Sequence, residues 1–274
     1  MTKINDTKDF MEDIKKPLSE RSFHAPCGFL YIAFGNAFTA EALLSIESLK
    51  KHNPNCKVAL YTDAPEKISE EKIKMIDVLT AIKPRHIRAK VDFISLTPFE
   101  RTLYLDSDTV IVRNIEDIFE CLDRFDVLVT HDYARKREKY SNVVPEYKKI
   151  PYSFSEVNGG VMAFAANERT ERFLNLWKEY FYKYFQQTNG WDQVSLRVSL
   201  WESEVSINHM PFEYNIRSHA NREKQDRFHD QFGEEHMSPR IYHMHYDNEI
   251  HHGKFKIETL EELEKIVKDK AVWY

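Results

Sequence analysis

Residues 101–112 read Arg101-Thr-Leu-Tyr-Leu-Asp-Ser-Asp-Thr-Val-Ile-Val112 and place two carboxylates, Asp106 and Asp108, between two apolar runs of β character. A buried strand that ends on two carboxylates needs a cation to meet them, because an uncompensated buried charge is very costly. A divalent metal answers that need, and a metal there points to a diphosphate that must be held and then released. The competing reading is a solvated turn between two strands, since Asp and Ser are also turn formers. If the strand runs on through the pair, the i and i+2 side chains fall on one side and can share one ion.

Upstream, Gly28-Phe-Leu-Tyr-Ile-Ala-Phe34 is a continuous apolar run of the kind shown by a strand buried on both faces. Gly35 and Asn36 end it, and Asn36 or Thr39 is placed to cap a helix through about Lys51, with Ala42, Leu43, Ile46 and Leu49 in phase. A second strand over 57–63 ends on Asp63, and a helix over 69–78 follows. This β-α-β-α order predicts an α/β fold with a mainly parallel sheet and right-handed crossovers. Ligands collect at the carboxyl ends of such strands, here Phe34-Gly35-Asn36, Asp63 and Asp106-Ser107-Asp108.

Downstream, the pattern predicts a helix over 90–96, a short helix over 115–119 and strands over 125–130 and 157–164. Helices follow over 167–187, 194–200 and 258–268, with an extended segment over 209–215. The basic, tyrosine-bearing stretch 133–154 reads as an acceptor-side loop or lid. No repeat or dividing linker is present, so residues 1–25 read as a polar leader with little part in the core. Residues 26–274 read as a single domain with a C-terminal tail helix.

The net charge of −5 argues against general nucleic-acid binding, and the basic run 134–139 is short enough to be a solvated loop. Cys27, Cys56 and Cys121 form an odd set without CxxC spacing, as expected of reduced thiols in a cytoplasmic protein. No apolar run approaches a transmembrane span, and the first 25 residues lack a signal-peptide core.

A hard Mg²⁺ or Mn²⁺ suits Asp106 and Asp108, and an imidazole in the set tilts the choice to Mn²⁺. His243, ending the strand-like run 241–244, is the nitrogen candidate; a zinc pair of His243 and His245 is the alternative, with His236, His251 and His252 nearby in sequence. Lys90 and Arg88 could neutralise phosphate, hold a donor carboxylate or simply face solvent. Asn158-Gly159-Gly160 suits close approach of a sugar or a strand-entry turn. Asp192-Gln193 stands at a helix start, where capping is the ordinary role.

Taken in order, the strand before Asn36, Lys90, Leu105-Asp-Ser-Asp108, Asn158-Gly-Gly, Trp191-Asp-Gln193 and His243 resemble the GT-A glycosyltransferases. Glycogenin and its retaining relatives are most similar. The likeness spans about residues 28–246 and is densest over 89–119. It implies a Rossmann-like mixed, mainly parallel sheet flanked by helices, and a nucleoside-diphosphate sugar donor, UDP favoured. Ala33, Phe34, Gly35, Asn36 and Phe38 would cradle the nucleoside, Phe38 stacking on the base. Lys90 would contact donor phosphate or sugar. Asp106, Asp108 and His243 would hold Mn²⁺ or Mg²⁺, with Ser107 between them. Asn158, Gly159, Asp192 and Gln193 would line the transferred sugar, and Asp192 and Lys90 would be the catalytic pair.

Where the family usually reads His-x-x-Gly-x-x-Lys-Pro, this chain reads His243-Met-His-Tyr-Asp-Asn-Glu249, which leaves the diphosphate short of one cation; Lys254 is a candidate substitute. The expected activity is metal-dependent sugar transfer, with retention, to a hydroxyl of a glycan, protein or small molecule. The oligomeric state is left open, a homodimer included. The alternatives are an inverting GT-A enzyme, a sugar-nucleotide nucleotidyltransferase and a non-catalytic carbohydrate binder. The nucleotidyltransferase needs a Gly-rich basic loop after the first strand, which Phe34-Gly-Asn-Ala-Phe-Thr39 lacks.

Overall fold

The computed structural model describes residues 16–132, 134–217, 238–244 and 257–268. A seven-stranded sheet runs in the order β3-β2-β1-β4-β7-β6-β8. The strands are β1 (Ala25–Ala33), β2 (Val58–Thr62), β3 (Val78–Ala81), β4 (Phe99–Leu105), β6 (Val127–His131), β7 (Val157–Ala165) and β8 (Ile207–His209). β7 is antiparallel to both β4 and β6, and the other pairs are parallel. The sheet is therefore mixed and mainly parallel, as expected.

The unbroken apolar runs follow from burial on two faces. Along β1, Phe29, Tyr31 and Ala33 enter one core while Leu30 and Ile32 enter the other. β4 divides likewise, Leu103 and Leu105 against Tyr104. Helix α1 (Gly35–His52) covers one face through Ala42, Ile46 and Leu49. On the other face lie Phe173, Leu174, Trp177 and Phe181 of a long helix, Glu168–Lys183, and Leu196 and Leu200 of the helix Asp192–Glu202.

Several elements depart from the sequence reading. The helix expected over 69–78 shrinks to α2 (Glu70–Ile73), and its last residue, Val78, opens the edge strand β3, whose four residues are too few to show a period of their own. No side chain caps α1; instead Gly35, at φ 80°, turns the chain out of β1, and its N–H is held by Asp63 at 2.8 Å. The helix expected over 90–96 is a single α turn, α3 (Lys90–Phe93), continued as a 3₁₀ turn. The short helix near 115–119 lies at Ile118–Cys121 (α4). The strand does not run through the acidic pair: β4 stops at Leu105, and Thr109–Ile111 (β5) pairs antiparallel with Ile241–His243 (β9) in a separate ribbon. Leu18, assigned to the polar leader, is fully buried in a core cluster. The extended segment expected over 209–215 is β8 followed by a 3₁₀ turn at Phe212–Tyr214.

The stretch expected to be a lid is packed. Its helices α5 (Glu138–Ser141) and α6 (Pro145–Lys149) bury Tyr140, Val144 and Tyr147 against Val194 and Val198. Arg197, fully buried, donates to the carbonyls of Pro151 and Phe154 at 3.0 and 2.6 Å. The helices beyond it are α7 (Glu168–Lys183), α8 (Phe185–Thr188), α9 (Asp192–Glu202) and α10 (Leu260–Lys268).

Asp126 closes the β6 end of the sheet. Its carboxylate accepts from the Ser206 N–H and hydroxyl at 2.8 and 2.9 Å, from Asn167 at 2.9 Å and from Arg169 at 3.0 Å. Burial works against its charge, but these donors outweigh burial and hold the pKa below 3.8. A depressed folded-state pKa adds stability that is present above the unfolded value and lost as pH falls through the folded one. Asp126→Asn is therefore expected to cost about 1–3 kcal/mol at pH 7. It should also flatten the loss of stability below about pH 4, as read by urea denaturation across a pH series.

Candidate active site

The site forms where the carboxyl ends of β1 and β4 meet the start of β7. The register Leu105↔Val161 carries straight into the acidic turn, since the Asp106 N–H donates to the Gly160 carbonyl at 2.8 Å. The β5–β9 ribbon sets Thr109 opposite His243, and the Met244 N–H bonds the Asp108 carbonyl at 2.8 Å. This stitching brings the distant histidine to the acidic pair. His243 Nε2 lies 3.2 Å from Asp108 Oδ1 and 3.8 Å from Asp106 Oδ2. One ligand atom from each of the three residues falls within 4.8 Å of the others.

A chain of amides decides which imidazole nitrogen faces the acids. The Gly160 N–H can only donate, and it donates to Asn158 Oδ1 at 3.0 Å. The group of Asn215 that meets the same Oδ1 at 2.9 Å is therefore its NH₂. Its remaining oxygen, 3.0 Å from His243 Nδ1, must accept, so Nδ1 carries a proton. In the neutral ring the Nε2 lone pair then points at the carboxylates, as a metal ligand requires. Two carboxylates and one such imidazole fit Mn²⁺ or Mg²⁺. The space for an ion is kept by glycine: a Cβ on Gly160 would lie 2.7 Å from Asp106 Oδ2 and 2.9 Å from His243 Nδ1.

Lys90 is the second centre. Its buried ammonium donates to both Asp106 oxygens at 3.0 and 3.1 Å and to the Gly159 carbonyl at 3.1 Å, and lies 3.4 Å from Asp192 Oδ2. Burial opposes its charge, but Asp106 and Asp192 outweigh burial and raise its pKa. Asp192 is buried too; Lys90 and Arg88 overcome that burial and lower its pKa. Tyr104, two residues before Asp106 on the same strand face, donates to Asp106 Oδ1 at 2.6 Å.

Of the residues expected to bind the donor, Phe34, Phe38, Lys90, Asp106, Ser107, Asp108 and His243 share one cleft of about 240 Å³. Ile32, Ile87, Arg88 and Tyr104 complete its walls. Gly159 and Asp192 reach it through Lys90. The Ala33 side chain is packed in the core, and Asn36 is exposed, accepting from Lys67 at 2.9 Å. The Gln193 amide is engaged at both ends, donating to Asp132 at 2.6 Å and accepting from the Trp191 indole at 2.9 Å. Arg137, from the run read as a solvated loop, pairs with buried Asp132 and Glu156.

The sequence reading missed Tyr104, Asn215 and Glu41. The i, i+2 spacing to Asp106 could have identified Tyr104; nothing local ties Asn215 to His243. Glu41, on α1, accepts from the Ser107 hydroxyl at 3.1 Å, and burial and the nearby Asp108 push its pKa up to about 8. His236, His245, His251, His252, Lys254 and most of the charged segment 219–239 lie outside the described residues.

The structure superposes on GT-A glycosyltransferases. For GlyE of Streptococcus pneumoniae the TM-score is 0.58 at 16% identity, over 90% of this chain and 65% of that one. For the galactosyltransferase LgtC, solved with donor and acceptor sugar analogues, it is 0.55 at 11% identity, over 87% and 94%. These likenesses show the GT-A fold. In sequence, residues 47–260 match the nucleotide-diphospho-sugar transferase family, and the chain belongs to it. It is similar there to mouse (Mus musculus) glycogenin-1, 26% identical over 212 residues, 69% of this chain and 56% of that protein. The chain thus spans a little over half the length of that relative. Among the described residues no helix is long and apolar enough to cross a membrane.

Asn215→Ala removes the acceptor that orients His243. Loss of such a support typically weakens metal binding about 10–100-fold. A drop of that size in Mn²⁺ affinity, with the thermal midpoint shifted by only a few degrees, is the result expected from titration calorimetry and melting.

Proposed function

We propose that the protein transfers a sugar from a nucleoside-diphosphate sugar, UDP favoured, to a hydroxyl acceptor, with retention and with help from Mn²⁺ or Mg²⁺. The observation that carries this reading is the convergence of Asp106, Asp108 and His243 beside Lys90 and Asp192 at the sheet's carboxyl edge.

Asp106, Asp108 and His243 hold the cation, which when bound supplies Lewis-acid stabilisation of the charge growing on the leaving diphosphate. Phe34 and Phe38 offer ring faces to the base in the cleft. Lys90 holds Asp192 in place and adds positive charge beside the breaking bond. Asp192 orients the sugar and offsets positive charge developing at the anomeric carbon. The acceptor oxygen enters on the leaving-group side and gives its proton to the donor phosphate. Asn158, Gly159 and Gln193 shape the sugar pocket, Gln193 through Trp191 and Asp132. The glycan, protein or small-molecule acceptor approaches over the open side of the cleft. The free thiols of Cys27, Cys56 and Cys121 support a cytoplasmic setting.

A ligand that binds only the folded state adds about 2.7 kcal/mol at one hundred times its Kd. For a chain of this size that is about 5–10 °C in Tm. UDP is expected to produce that rise with Mn²⁺ and little without it. Asp108→Asn should stay folded but lose both the metal-dependent rise and hydrolysis of the matching donor. Undiminished turnover in that variant, or in excess EDTA, would contradict the reading.

A further inference from the structure

The cleft contains a second cation whose hydrogen-bonding capacity the neighbouring side chains leave largely unused. Arg88 lines the cleft, with Nε 3.6 Å from Asp192 Oδ1, an ion-pair distance too long for a hydrogen bond. Its guanidinium carbon lies 5.6 Å from the centroid of the Trp191 ring, which restrains the group from the side. About a third of the side chain (35%) is open to the cleft and solvent. A guanidinium presents five N–H donors in a planar fork. Among the described residues, none of those donors on Arg88 meets an acceptor within hydrogen-bond distance. Asp192 acts on it more strongly than Asp106 or Asp108 does, so its charge belongs to the sugar side of the cleft.

The place of this fork beside Asp192 gives it a purpose. Lys90 now divides its charge between Asp106 and Asp192. When Asp106 serves a divalent ion, Lys90 and Arg88 are left as two cations facing one carboxylate, Asp192. The two negative charges of the donor's diphosphate belong to the metal side of the cleft, and a neutral hexose offers the Arg88 donors no charged acceptor on the sugar side. A carboxylate on the sugar supplies one, since the planar fork matches a carboxylate with two parallel hydrogen bonds. The fork would also stand between that carboxylate and Asp192, separating two like charges.

We propose that Arg88 determines donor specificity: with Lys90 it binds a carboxylate on the transferred sugar, so the preferred donor is a nucleoside-diphosphate uronic acid. This rests on the nucleotide-sugar reading given above. It assigns Arg88 to the sugar; a role as a further diphosphate cation would instead affect every nucleotide alike.

Titration calorimetry of the full chain with Mn²⁺ against UDP, UDP-glucose and UDP-glucuronate separates these cases, for the wild type, Arg88→Gln and Arg88→Lys. The wild type is expected to prefer UDP-glucuronate over UDP-glucose by about tenfold or more, the value of one charge-assisted pair. Arg88→Gln should abolish that preference while leaving UDP affinity within about twofold, and Arg88→Lys should keep part of it, since charge survives without the fork. Equal wild-type affinity for the two sugar nucleotides would overturn the proposal, as would an Arg88→Gln loss shared equally by UDP. Failure of UDP itself to bind with Mn²⁺ would overturn the nucleotide-sugar reading and this proposal with it.

Discussion

Two carboxylates stand where a buried strand ends, and the rest of the site is arranged around their charge. Asp106 is met from one side by the Lys90 ammonium at 3.0 Å and from the strand face by the Tyr104 hydroxyl at 2.6 Å. Asp108 lies 3.2 Å from His243 Nε2, whose lone pair in the neutral ring leaves a place for a cation between them. Without such partners the turn would carry a desolvation cost that no packing nearby offsets. The same partners make the carboxylates available to a stronger cation, because Lys90 can turn to Asp192 when Asp106 is engaged. Lys90 and Tyr104 therefore compensate Asp106 in a cluster whose three side chains could hold a metal ion.

Topology supplies the precision. β7 runs antiparallel to β4, so its first residues, not its last, lie beside the acidic turn. That places the Asn158-Gly159-Gly160 backbone against Asp106, and Gly160 fixes the polarity of the amide chain that ends at His243. The His243 N–H and the Ile216 carbonyl, 2.9 Å apart, tie the β9 strand to the segment that carries Asn215. Asn215 thereby supports the histidine from behind. A residue at the start of one strand thus sets the tautomer of a ring on another, through two side-chain amides.

Much of this was legible in the sequence because burial leaves a pattern. Strands buried on both faces read as unbroken apolar runs, which marked β1, β2, β4 and β7. A paired acid at the end of such a run stood out for the same reason. Lys90, Asp192 and His243 became candidates through their order along the chain and the resemblance it carried. What stayed hidden depends on contacts that leave no local trace. β3 is too short to show a period. Arg197 sits in the helix expected over 194–200, yet is buried because carbonyls of the 151–154 turn accept its donors. The stretch 133–154 looked irregular because its order comes from Tyr140, Val144 and Tyr147 packing on α9, a contact between segments distant in sequence.

The central claim is that Asp106, Asp108 and His243 together bind one divalent ion that docks a diphosphate. Anomalous diffraction at the manganese edge, from crystals grown with Mn²⁺ and UDP, tests it most directly. The account predicts a single strong peak within coordination distance of all three side chains, with the pyrophosphate on its open side. A peak elsewhere, or nucleotide bound with the two aspartates turned from it and no manganese between them, would contradict it.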